Sequence, residues 1–432
     1  MAHSNRRFLG LLPVLLITLA GCQGGQDQGV SVDRQQSTKQ RITAPNVPQA
    51  DLDELVAGQN AFGVDLMRQI PAGQGNQFFS PVSIDQAMAM LFAGAKGQTA
   101  SQIADVLHFT LPQDRLHPAI NALDLALASR GQNAQGKDGK PFRLHVVNAA
   151  WGQQGYQFLS SYLDTLAQNY GTGMNIVDFA GHTEQARNTI NAWVAQETED
   201  KIPELIPQGM LDSLTTLVLT NAIYFNAAWK HKFTKEGTYD DDFTKPDGSV
   251  VSASMMHQLE GFKYASGDGI QVVELPYDGD EIAMDLIVPD AGQFENVSAN
   301  LTADQMLTLL AGLETKQVQL AMPKFKYRTT MMLKTTFQNM GMTDVFSSGA
   351  ADLSGMDGTR DLYVSAIIHK TFVDVDEGGT EAAAATAVII LGDSMPNFDV
   401  ELTINRPFLF VIRDLATGTI LFMGAVEDPS AS

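Results

Sequence analysis

The chain has 432 residues, 44% of them hydrophobic and 18% charged, which is long enough to bury a large core. Its formal net charge is −21 and no Lys/Arg cluster occurs in the body of the chain, which argues against nucleic acid and other polyanions as partners. Cys22 is the only cysteine, so no intrachain disulfide forms and packing must hold the fold.

Residues 1–21 read as an export signal. Arg6 and Arg7 form a charged start, Phe8 to Ala20 an apolar run too short for a usual membrane span, and the run closes on Leu19-Ala20-Gly21-Cys22. Small residues before a lone cysteine resemble a bacterial lipobox, which implies lipid on Cys22 and attachment to a membrane through it. A plain secretory signal with an incidental cysteine is the other reading. Gln23 follows where Asp would retain such a lipoprotein at the inner membrane, so the expected location is the cell envelope, at the outer membrane or cell surface. Residues 22–50, rich in Gln, Gly and Ser with Pro45 and Pro48, read as a disordered tether. Residues 51–432 read as one large mixed domain, with neither a Pro/Gly/Ser-rich linker nor a repeat.

Apolar residues at helical spacing (Leu55, Phe62, Leu66, Ile70) predict a first helix from Leu52 to Ile70. A short strand at Asn76–Val82 then runs into a helix with Ser83 as N-cap, carrying Ala87, Met88, Met90, Leu91 and Ala95; Gly97-Gln98-Thr99 restarts a helix through Leu107. Leu144–Trp151 and Met174–Phe179 are strands, and Phe158–Tyr170 and Thr183–Thr198 helices. Leu214–Phe225 is almost continuously apolar and suits a central strand covered on both faces. Asp240-Asp241-Asp242 reads as a solvated turn rather than a metal site. Val272–Tyr277 and Ile282–Val288 flank an Asp278-Gly279-Asp280 turn as a hairpin. Val318–Phe325 is a strand, Met331–Met340 a helix stopped at Gly341, and Tyr363–Val375 a strand. Val400–Ile404, Phe408–Arg413 and Ile420–Val426 are the last three strands.

The stretch from Glu377 to Pro396 fits several structures. Thr380 as N-cap followed by Glu381 and Ala382 to Ala385 suits a buried helix after a Gly378-Gly379 hinge. Val388 to Leu391 favours a strand, and Gly-Asp-Ser-Met-Pro suits an exposed turn. Read with period 2, Thr380, Ala382, Ala384, Thr386, Val388 and Ile390 share one face and the only charge, Glu381, lies on the other. A segment compatible with loop, helix and strand is a candidate switch.

That stretch resembles the hinge and reactive-centre loop of the serpins, the serine protease inhibitor superfamily. The passage Phe78–Phe109 with Ala93-Gly94-Ala95-Lys96-Gly97, the run Asn221 to Phe225 with Trp229 and Phe233, and Asn405 to Phe410 are similar to serpins as well, so the resemblance covers residues 52–429. Gly378 departs from the family pattern, which usually has a polar residue there. The resemblance implies an α+β single domain with three β-sheets, about eight to nine helices and an exposed reactive-centre loop at about 377–398. It implies a hinge of Glu377, Gly378, Gly379, Thr380, Glu381, Ala382, Ala383, Ala384 and Ala385. It also implies a sheet-opening cluster of Ser80, Ser83, Asn221 and His369, with Trp229 where the loop enters. The family's spacing places the reactive bond at Asp393–Ser394, although Ile390 and Leu391 suit elastase- or subtilisin-like pockets.

The rival class is an enzyme. The sequence has no Gly-x-Ser-x-Gly elbow, His-Glu-x-x-His helix, phosphate loop or dinucleotide fingerprint, and no His or acid spacing that suits a metal. His369 among Ile367, Ile368 and Phe372 reads as a structural histidine. The expectation is therefore no catalysis, cofactor or metal. What the resemblance implies is a monomeric inhibitor of serine, and by extension cysteine, proteases that acts as a suicide substrate through loop insertion. A non-inhibitory member serving as a binding module is the alternative, although Thr380 and Ala382 to Ala385 carry none of the Pro, charged or bulky residues common in such hinges.

Overall fold

The computed structural model describes residues 32–380 and 397–431. Cys22, Glu381, Ala382 to Ala385, Asp393 and Ser394 lie outside the described residues.

The molecule is built on the Leu217–Ala228 strand, buried at every position, as a strand covered on both faces must be. On one side it pairs antiparallel with Arg143–Gln153, which continues through Met174–Val177 to an edge strand, Asp33–Gln35. On the other it pairs parallel with Val364–Asp376, which in turn pairs with Phe325–Met332. The inner face of this sheet packs on the main core and its outer face on the Phe179–Glu197 helix, where Val218, Ala222, Ala366 and Ile368 meet Ile190 and Val194.

The remaining strands form one hydrogen-bonded network, because the 18-residue Val250–Gly267 strand runs through two sheets. It pairs with Thr238–Thr244 over residues 250–256, with Glu314–Pro323 over residues 255–264, and with Ile270–Pro276 and the strands beyond it over residues 263–267. The described residues hold ten α-helices and two short 3-10 turns. Pro81–Phe92 is the most deeply placed, buried along its whole length, and its small residues Ala87 and Ala89 let it lie against the central sheet.

Several boundaries differ from the sequence reading for identifiable reasons. The N-cap of Pro81–Phe92 is Ser80, whose hydroxyl accepts the Ser83 amide, and Ser83 sits inside the first turn; Pro81 at the first helical position fixes that start. Asp240 to Asp242 belong to the Thr238–Thr244 strand rather than a turn, their carboxylates on an exposed edge. The tether reading fails from residue 32 onward. Asp33–Gln35 adds to the sheet, Gln35 exchanges bonds with Tyr156 O and the Phe158 amide (2.8 and 3.1 Å), and Arg41 binds Asn121 (2.8 Å) and pairs with Asp124. The polar side chains that read as disorder are the ones that fasten the segment.

Candidate functional site: the hinge and the row that closes the sheet

Gly379–Thr380 forms a two-residue strand wedged between the two central strands at one end of the sheet. It pairs antiparallel with both, Gly379 opposite Ala228 and Asp376, Thr380 opposite Ala227 and Val375. Only glycine fits at 379: φ is +143°, and a Cβ there would lie 2.2 Å from Ala227 O. Thr380, 2% exposed, faces the inner side, where its hydroxyl meets Tyr277 Oη at 2.7 Å.

Trp229 closes the top of this site. Its ring stacks on Tyr277 at 4.5 Å, its indole N–H donates to Asp376 O (2.9 Å), and its amide donates to Gly378 O (3.0 Å). Glu377 turns back against the Lys324 ammonium at 3.0 Å, and its carbonyl accepts the Phe233 amide. Burial pushes the Glu377 carboxyl up, but hydrogen bonds from its own amide, Lys324 and Thr238 outweigh it and hold the group below its ordinary value.

About 15–20 Å down the strands, at roughly 3.3 Å per residue, a polar row crosses the apolar sheet. His369, Asn221 and Asn148 occupy one rung of three adjacent strands. His369 Nε2 accepts the Ser80 amide (3.0 Å), which fixes the proton on Nδ1, and Nδ1 donates to Asn221 Oδ1. Asn221 Nδ2 then donates to Ser83 Oγ (2.6 Å) and Asn148 Oδ1, and Asn148 Nδ2 to Ser83 O (3.1 Å). Burial pushes the His369 imidazole down to about 3, so it is neutral at ordinary pH. A base that donates to an amide oxygen and accepts a backbone N–H has no free lone pair for chemistry. The row works as a cross-tie between sheet and helix.

The structure thus brings Ser80, Ser83, Asn221 and His369 into one network and places Trp229 apart from them, with the hinge. Sequence reasoning missed Asn148, Tyr277 and Lys324. Asn148 had a readable signal, a lone amide in an apolar strand that must find partners when buried; Tyr277 and Lys324 had none, since their partners lie 103 and 53 residues away.

A family model described as Serpin (serine protease inhibitor) matches residues 57–429. The chain is 38% identical over 392 residues to the leukocyte elastase inhibitor of Equus caballus, covering 88% of this chain and 100% of that protein. It is 35% identical to an uncharacterised serpin-like protein of Thermococcus kodakarensis, covering 98% and 99%. The crystal structure of a thermophilic serpin, tengpin, in the native state matches with a TM-score of 0.81 at 25% identity, over 92% of this chain and 100% of that one.

Proposed function

Since the chain belongs to the serpin family of serine protease inhibitors, we propose that it traps its target as a suicide substrate rather than acting as a catalyst. The protease serine oxygen attacks the scissile carbonyl in the segment after Thr380, and the peptide C–N bond breaks with the amine leaving as the N-terminus of the C-terminal part. The freed segment, now esterified to the protease, enters the central sheet before water hydrolyses the ester. The displaced protease then loses the oxyanion-hole geometry that deacylation requires. A cysteine protease, held as a thioester, is open to the same fate.

One observation carries this reading. Gly379–Thr380 already occupies the first rungs between the central strands, and the sequence that follows, Ala382 to Ala385, has side chains small enough to enter the same gap on insertion. Each added rung exchanges solvent for ladder hydrogen bonds, and Val388 and Ile390 bring about 1.5–3 kcal/mol each if fully buried. We assign the reactive bond to Asp393–Ser394, which selects a protease with a basic specificity pocket, and the membrane anchor to lipid on Cys22.

Incubation with a panel of serine proteases tests the mechanism. An SDS-resistant covalent complex is expected, together with a loop-cleaved form that melts well above the intact protein. Cleavage without a complex, and equal melting points, would return the protein to the non-inhibitory binding-module reading. Mass spectrometry of the released C-terminal peptide tests the bond, with Ser394 expected as its first residue. Membrane fractionation of Cys22→Ser tests the anchor: release is expected, and unchanged fractionation refutes it.

A further inference from the structure

Lys137 lies in the segment 131–141 that arches over the outer face of the central sheet, and its side chain is wholly buried. Its neighbours hold it there. Ala228 N donates to Gln135 O (3.0 Å), Gln135 N donates to the Asp278 carboxylate (2.8 Å), and Lys137 N donates to Asn226 Oδ1 (2.8 Å). Gly136 lets the chain sit this low, because a Cβ there would lie 2.4 Å from Asn226 Oδ1. The ammonium then crosses to the other central strand, reaching Asp374 O at 3.0 Å, Asp374 Oδ1 at 3.3 Å and Asp376 Oδ2 at 3.1 Å.

This bridge spans a fork. Direct pairing of the two central strands stops at Ile223 and Thr371, and the hinge tip holds the rung of Ala227 and Val375. Asn226 and Asp374 flank the next rung inward, the first that an inserting strand must take. Asp376 O points into the fork, since it accepts the Trp229 indole from the far strand. Carbonyls two residues apart on a strand point to the same edge, so Asp374 O points there too. It is the ladder acceptor that the next rung requires, and Lys137 Nζ is bonded to it.

We infer that Lys137 is a positioning residue that sets the rate of loop insertion by occupying the Asp374 carbonyl in the intact protein. This rests on the insertion reading above. The ammonium already draws on the oxygen that the amide of an incoming strand needs, and although a carbonyl accepts two bonds, the second weakens the first, so the first step of zippering works against a buried charge-assisted hydrogen bond. After exchange the ammonium keeps the Asp374 and Asp376 carboxylates, which lie on the outer face clear of the ladder. A hydrogen bond of this kind sets a barrier worth about tenfold to a hundredfold in rate.

The test uses the full-length protein and a synthetic peptide of residues 380–391, with incorporation followed by native electrophoresis and melting. Lys137→Met should take up the peptide about tenfold or more faster than wild type. Lys326→Met removes the other ammonium on the Asp374 carboxylate, 2.9 Å away, without entering the fork, and should leave the rate unchanged. This pairing separates occupation of the carbonyl from simple loss of charge. If Lys137→Met fails to fold, Lys137→Gln keeps a weaker donor of similar reach and should give the same direction with smaller amplitude. Equal rates for wild type and the Lys137 variants, or equal acceleration by Lys326→Met, overturn the inference while leaving the inhibitory mechanism intact. A wild-type protein that never takes up peptide, and whose cleaved form melts with the intact form, removes the mechanism and this inference with it.

Discussion

Thr380→Arg separates folding from insertion. In the intact protein Thr380 is the last described residue of the hinge, directed at the inner face between Ala227 and Val375 with its hydroxyl on Tyr277. The substitution strands the buried Tyr277 hydroxyl, at a cost of about 1–3 kcal/mol. It also asks an unpaired guanidinium to enter an apolar layer, which costs several kcal/mol more. The intact protein escapes most of this by releasing a two-residue strand, so it should still fold. Insertion has no such escape. If about 4 kcal/mol appears in its barrier, insertion slows by roughly a thousandfold at about 1.4 kcal/mol per factor of ten, and deacylation wins. The assay is titration of a loop-cleaving serine protease with wild type and variant, read by residual activity and by SDS electrophoresis. The variant should be consumed as substrate with almost no covalent complex. Trapping at wild-type stoichiometry would show that the tip does not lead the insertion, and the register drawn from Gly379–Thr380 would be wrong.

Three further outcomes follow from buried and half-buried groups of the sheet and the helix beneath it. Folding lowers the His369 pKa from 6.5 to about 3, so its neutral form contributes stability above about pH 6.5 that is lost as pH falls toward 3, at about 1.4 kcal/mol per pH unit; His369→Gln should show a shallower fall in melting temperature across that window, and since His117, pushed by burial to about 4, still titrates there, an unchanged slope would clear His369 of the effect. Burial raises the Asp85 carboxyl to about 8, with Gln59 donating to one oxygen at 2.7 Å and the other unpartnered, so stability should decline as pH rises from about 4 to about 8. Asp85→Asn should flatten that decline in denaturant unfolding and be the more stable form at pH 9; parallel profiles would contradict it. Asn148→Ala removes the acceptor for Asn221 and the donor to Ser83 O, and should destabilise by about 1–3 kcal/mol in urea, whereas a change below about 0.5 kcal/mol would mean the row is not a working cross-tie.

Where one element's own residues decide its state, the sequence was legible. The apolar run into Asn221 and Phe225 marked a doubly covered strand, and the paired glycines marked the turn that brings Gly379–Thr380 between the central strands. Interrupted patterns were not legible. Val250–Gly267 mixes Ser, His, Gln, Glu and Lys among its apolar residues because its pairing partners change along its length, so no period of two survives. Phe294–Asn300 and Ala303–Ala311 are too short to announce themselves by periodicity, and Pro118 disguises Gln113–Ala128. Lys137 was hidden most completely: Gly136, Asp138, Gly139 and Lys140 around it suggest a solvated turn, and its burial is imposed by Asp374 and Asp376 more than 200 residues later. The Ser80-Pro81 start of a helix, by contrast, carried a signal that was overlooked.

The docked segment 32–48 also fixes a distance. It leaves residues 23–31 between Cys22 and the sheet, a leash of roughly 30 Å at full stretch. The leash ties on at the rung shared by Arg34, Asn175, Trp151 and Val218, while the hinge tip sits on the rung of Ala227, about 30 Å up the same sheet. If lipid holds Cys22, the hinge tip at Gly379–Thr380 lies at the pole away from the bilayer. On the insertion mechanism proposed above, the strand would zip from the Ala227 end toward the Val218 end and would carry a trapped protease to the membrane-facing pole. A folded enzyme must then fit into a gap no taller than the leash allows, and the inhibitor has to tip on its anchor to make room.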